Sequence, residues 1–140
     1  MHPTILRRLH LVGAILFVLT GIVHLIGQYA PSDPNFVVDG VMAMMDRTHI
    51  AGSGFSLLDM MMCWGGLYGV MSLLFGVHAL VTVHAARGDL AVVRASARTA
   101  ALAAVLQAIV SLAYHTPPPA FLMLPAAMLM GLAGFATVRE

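Results

Sequence analysis

The sequence predicts an all-α integral membrane protein, a four-helix bundle of one domain with both termini cytoplasmic. Three observations carry that prediction. Of 140 residues, 60% are hydrophobic and 9% charged, with a mean hydropathy of +0.91. Long apolar runs recur along the chain, and the arginines gather at one set of their ends. A soluble domain carries about 45–50% apolar and about 25% charged residues, so this chain lacks the polar surface that a water-soluble fold needs. The same composition excludes a disordered segment. One cysteine excludes a disulfide scaffold, and a net charge of +1 without any lysine excludes a nucleic-acid binder.

A membrane-spanning helix needs about 20 mostly apolar residues. The first predicted span runs from about Leu9 to Tyr29 and ends before Pro31 and the turn-forming Ser32-Asp33-Pro34-Asn35. Arg7, Arg8 and the apolar run after them imitate a secretory signal, but the run is long for one and Pro31 suits cleavage badly, so a retained helix is expected. The second span starts near Thr48 or Ile50 and reaches Ala86, with Asp59 its one charge. That length exceeds one crossing, so the helix is expected to tilt or project. The third runs from about Val92 to Tyr114, and the fourth from about Ala120 to Val138, led in by Pro117-Pro118-Pro119 and carrying Pro125.

Arg7, Arg8, Arg87, Arg94, Arg98 and Arg139 fall on one side of these spans, leaving Arg47 on the other. The positive-inside rule makes the arginine-rich side cytoplasmic, which predicts a bacterial inner-membrane protein. The external side then holds the loop from Ala30 to Arg47, with Asp33, Asp39 and Asp46, the one connection long enough for structure of its own.

Ionisable groups inside a membrane are the natural candidates for function. This topology brings His24, His49 and His115 to the external side, and leaves His10, His78 and His84 toward the cytoplasm. Thr20, His24 and Gln28 share a stripe of the first span; Gln107, Ser111 and His115 share one on the third; His49, Ser53, Ser56, Met60 and Cys63, with Asp59 beside them, share one on the second. Convergence of the three stripes would make a polar pocket open to the outside. Three imidazoles with Asp46 or Asp59 suit zinc or Cu(II), and addition of Cys63 and the methionines suits Cu(I). A pair of histidines from different helices could instead hold one haem b. The plainer alternatives are that the histidines hydrogen-bond backbone or water, that the Met60-Met61-Met62 run is packing, and that Cys63 is a small buried hydrophobe. Asp59, read as lying deep in a span, must be protonated, paired or wetted.

Gly65, Gly66, Gly69 and Gly76, with Ala97, Ala101, Ala104 and Ala108, offer small faces for close helix approach. Arg7-Arg8 followed by a glycine-punctuated apolar run and Gly21-Ile22-Val23-His24 resembles the first helix of small bacterial four-helix membrane proteins of the DoxX-like kind. Gly54-Phe55-Ser56-Leu57-Leu58 is similar to related uncharacterised four-span families, and the likeness extends to the hydropathy profile of the whole chain. The resemblance implies a four-helix bundle associated with respiratory or redox membranes, and it supplies no catalytic residue.

Two functions compete. One is an accessory or binding protein that packs with a larger membrane complex, a lipid or a quinone, or with copies of itself. The other is a metal or haem redox protein using His24, His49 and His115. An enzyme or transporter built on Asp59 rests on a single acid. No phosphate loop, ordered Ser-His-Asp set or CxxC pair is present to support hydrolytic, nucleotide-dependent or thiol chemistry.

Overall fold

The computed structural model describes residues 1–30, 35–113 and 117–137. Five helices follow one another: α1 Pro3–Tyr29, α2 Phe36–Arg47, α3 Leu57–Ala85, α4 Leu90–Ala113 and α5 Pro117–Phe135. Helices α1, α3 and α4 are long and apolar enough to cross a membrane; the apolar run of α5, Pro119–Phe135, is shorter. α1 packs against α3 and α5, and α5 against α4, while α4 meets α3 and α1 over smaller areas. The amino group of Met1 donates to the Thr137 carbonyl, so the start of α1 and the end of α5 lie side by side.

The interior is built of small side chains. The buried residues of α3 are Gly66, Gly69, Ser72, Gly76 and Ala79, and those of α4 are Val93, Ala97, Ala100, Ala101, Ala104, Ala108 and Ser111. Leu6, Phe17, Met123 and Met130 supply most of the bulk between them. The large side chains instead point outward: Ile26, Leu74, Leu102 and Phe121 are all more than half exposed. An apolar surface of that extent has no place in water. In lipid it is the expected surface, because lipid tails are as apolar as leucine and helices associate through close packing. At the α1–α3 crossing the backbones touch. A methyl group on Gly21 would lie 2.6 Å from the Leu73 nitrogen, and one on Gly76 would lie 2.7 Å from the Val18 nitrogen.

Several boundaries differ from those expected. α1 begins at Pro3, capped by His2, so Arg7 and Arg8 lie within the helix and not ahead of it. The external segment predicted as a loop from Ala30 to Arg47 contains α2, whose cap Asn35 accepts from the Val37 and Val38 amides at 3.1 and 3.2 Å. The second span was expected from Thr48 or Ile50, yet residues 48–56 form a tight turn. There the Ile50 amide donates to the Phe55 carbonyl and the Leu57 amide to the Thr48 carbonyl, around Gly52 at φ +76°. Apolar composition alone hid this turn; Gly52-Ser53-Gly54 was its signal. α5 continues through Pro125. Between α3 and α4 the chain reverses through Arg87 and Gly88, both at positive φ, and Asp89 caps α4 by accepting from the Ala91 and Val92 amides.

Candidate functional site

Four polar residues of the long helices, His24, Tyr68, Ser72 and Gln107, meet between α1, α3 and α4. The imidazole of His24 on α1 lies against the ring of Tyr68 on α3, with centroids 4.8 Å apart and planes tilted by 58°. The Tyr68 hydroxyl donates to Gln107 Oε1 on α4 at 3.5 Å, and the Ser72 hydroxyl donates to the same oxygen at 3.4 Å. Both bonds are at the long limit for an O–H donor, so these groups are held loosely. His24 Nε2 is buried and has no hydrogen-bond partner. A buried polar atom left without a partner is costly, on the order of 1–3 kcal/mol.

Local sequence explains why these groups meet. Gly69 has no side chain, so the His24 ring can approach α3; a methyl group there would lie 3.3 Å from His24 Cδ2. Tyr68 and Ser72 are four residues apart and therefore share a face. Toward the same end of α1, Gln28 Nε2 donates to Met62 Sδ at 3.1 Å, and Gln28 and Tyr29 lie over Gly65 and Gly66. Tyr68 and Ser72 escaped the sequence reading. The signal was their fourfold spacing beside the glycine stripe.

Two of the predicted stripes thus contribute to one cluster, through His24 and Gln107. Thr20, although buried, donates to its own helix at Leu16 O over 2.8 Å, so its hydroxyl is satisfied locally. Ser111 is buried on α4. His115 lies outside the described residues.

The stripe predicted for the second span does not form. His49 is exposed in the turn ahead of α3, paired across it with Ser56, and its Nδ1 lies 3.2 Å from the Arg47 carbonyl. Asp46 is exposed on α2. His49 is anchored beside Ser56 and His24 beside Gly69, positions about 20 Å apart along the α3 axis. Ligands of a single ion sit about 2 Å from it, so His24 and His49 do not share one. Among the described residues no three His, Cys, Asp or Glu side chains are grouped to hold a metal. Asp59 also departs from its expected place. It stands in the first turn of α3, exposed, and forms a capping box: Asp59 Oδ2 accepts from the Ser56 amide at 2.9 Å, and the Ser56 hydroxyl accepts from the Asp59 amide at 3.0 Å. The aspartate therefore ends a helix, and it is not buried deep in a span. Cys63 is likewise exposed, not buried.

At the opposite end, His10 Nε2 lies 3.2 Å from the Ala79 carbonyl and ties α1 to α3. Arg98 Nε donates to the Gly134 carbonyl at 2.9 Å while its guanidinium lies over the Phe135 ring, 5.2 Å from the centroid, joining α4 to α5.

Among the described residues, fold and cluster together define an all-helical protein with three helices long and apolar enough to cross a membrane and a small polar site among its helices. No protein-family model, curated protein or solved structure matches the chain.

Proposed function

We propose that this chain is a small integral membrane binding protein of the bacterial inner membrane. It holds the polar head of a lipophilic ligand, a quinone or a lipid, at His24, Tyr68 and Gln107, and serves a larger membrane complex. In this reading α1, α3, α4 and α5 are the four helices of the bundle. The neighbouring start of α1 and end of α5 fit an even number of crossings, and the arginine-rich side is cytoplasmic. The DoxX-like resemblance points to the same class of membrane.

The observation that carries the reading is the unpartnered His24 Nε2 beside hydroxyl groups with long, weak bonds. An imidazole nitrogen either donates or accepts according to tautomer, and a hydroxyl does both. A carbonyl or hydroxyl headgroup would satisfy His24, and rotation of the loosely held Tyr68 side chain would admit it. Apolar flanks of the helices would take the tail. A metal or haem reading retains His24 as a ligand, but among the described residues no three His, Cys, Asp or Glu side chains are grouped to hold a metal.

The test is extraction of lipids and quinones from the purified protein, followed by titration with a short-chain ubiquinone. Saturable binding that is lost in His24→Ala and weakened in Tyr68→Phe is expected. Equal binding by wild type and His24→Ala would refute the site. A visible spectrum of the same preparation examines the haem alternative directly.

A further inference from the structure

Helix α2 has a well-made N-terminus and an apolar face that the protein does not cover. Asn35 caps it, Asp39 stands in its first turn and Arg47 in its last, the arrangement that the helix dipole favours. None of its residues is buried. It touches α3 alone among the described helices, and its half-buried residues are Met42 and Met45. Val37, Val41 and Met44 recur at intervals of four and three, so they form one stripe, yet they are 71%, 46% and 62% exposed. Asp39 and Asp46 project from the opposite side, by the same geometry.

A helix of 12 residues is marginal in water, and most helices in proteins owe their stability to packing of an apolar face. Something must therefore cover this stripe. The exposed apolar residues that flank α2 in the chain match a lipid surface. The chain enters α2 from the end of α1, where Ile26 and Tyr29 are exposed, and leaves it toward Phe55 and Trp64, which are also exposed. Trp and Tyr side chains near the ends of spanning helices mark the level of the lipid headgroups. The α2 stripe falls along the chain between these exposed segments, and with the stripe in lipid the opposed aspartates would face water.

We infer that α2 is an interfacial helix that lies in the external leaflet of the bilayer, with Val37, Val41 and Met44 seated among the lipids. This inference rests on the membrane reading of the chain and is independent of the His24 site. Such a helix fixes the level of the turn at residues 48–56 and hence the depth at which α3 enters the membrane.

The test uses single-cysteine variants in a Cys63→Ala background, reconstituted in phosphatidylethanolamine–phosphatidylglycerol vesicles and spin-labelled at Val41→Cys, Asp46→Cys or Leu74→Cys. Relaxation is measured with oxygen, which concentrates in lipid, and with a water-soluble nickel complex. The expected result is an oxygen-to-nickel ratio at position 41 that is several-fold above that at 46 and close to that at 74. Lipid contact at 74 with water contact at 41 would overturn the inference and leave the membrane reading intact. Water contact at 74 would overturn the membrane reading itself. Protection from both reagents at 41 would assign the stripe to a protein partner or a second copy, and would also overturn the inference.

Discussion

Gly21→Ala places a methyl group where α1 and α3 cross, and its effect follows from the structure. The new carbon would stand 2.6 Å from the Leu73 nitrogen, 2.7 Å from the Gly69 oxygen and 2.8 Å from Leu73 Cβ. Comfortable contact needs about 3.5 Å, so the helices must part by about 0.9 Å. Two of the three atoms are backbone, so no side-chain rotation relieves the clash. A gap of about 0.5–1 Å forfeits a quarter to a half of each contact along the interface, and overpacking typically costs about 1–3 kcal/mol. Replacing glycine by alanine in a helix returns up to about 1 kcal/mol. A net loss of about 1–2 kcal/mol is expected. Gly27→Ala is the control, because it lies on the same helix with nothing within 4 Å of the added carbon; it should be neutral or stabilising by up to about 1 kcal/mol. Unfolding of the detergent-solubilised protein by added SDS, followed by circular dichroism, measures both. If Gly21→Ala proves as stable as Gly27→Ala, the backbone contact between α1 and α3 is refuted.

Ser56→Ala removes the α3 cap and should destabilise the protein by about 1 kcal/mol; Asp59→Asn keeps the shape of the capping side chain and should have a smaller effect, in the same SDS titration. Ligand binding at His24 should survive Asp59→Asn, because the aspartate belongs to the helix end; a loss of titrated quinone binding in that variant would place Asp59 in the site after all. Arg98→Gln removes both the bond to the Gly134 carbonyl and the contact with Phe135. Amide exchange should quicken in the last turn of α5 while α1 and α3 keep their protection, as hydrogen–deuterium exchange by mass spectrometry would show.

The amino-acid sequence by itself determined the helical, strongly apolar character of this protein. Composition and run length depend on the chain alone, and they yield an all-helical molecule with helices able to cross a membrane. Small residues at helical spacing in α3 and α4 likewise announced close packing. His24 and Gln107 were recognisable because a polar side chain in an apolar run stands out against its neighbours. Boundaries were less legible wherever hydropathy stayed high through a turn. Ile50 and Phe55 read as part of a span, although Gly52 at positive φ turns the chain between them. The expected places of Asp59 and His49 follow from that same boundary, since a helix starting at Thr48 or Ile50 puts His49 at its start and Asp59 more than two turns inside it.

Tertiary structure alone decided which polar groups meet. Tyr68 joined His24 because Gly69 admits the imidazole to α3, and Ser72 and Tyr68 converge on one oxygen of Gln107 across a helix interface. Stripes on separate helices carry no information about their relative rotation or depth; those are fixed by which small residues let the backbones touch. The same contact geometry separated His49 from His24 and left Val37, Val41 and Met44 of α2 exposed among the described residues, neither of which can be read from periodicity within one helix.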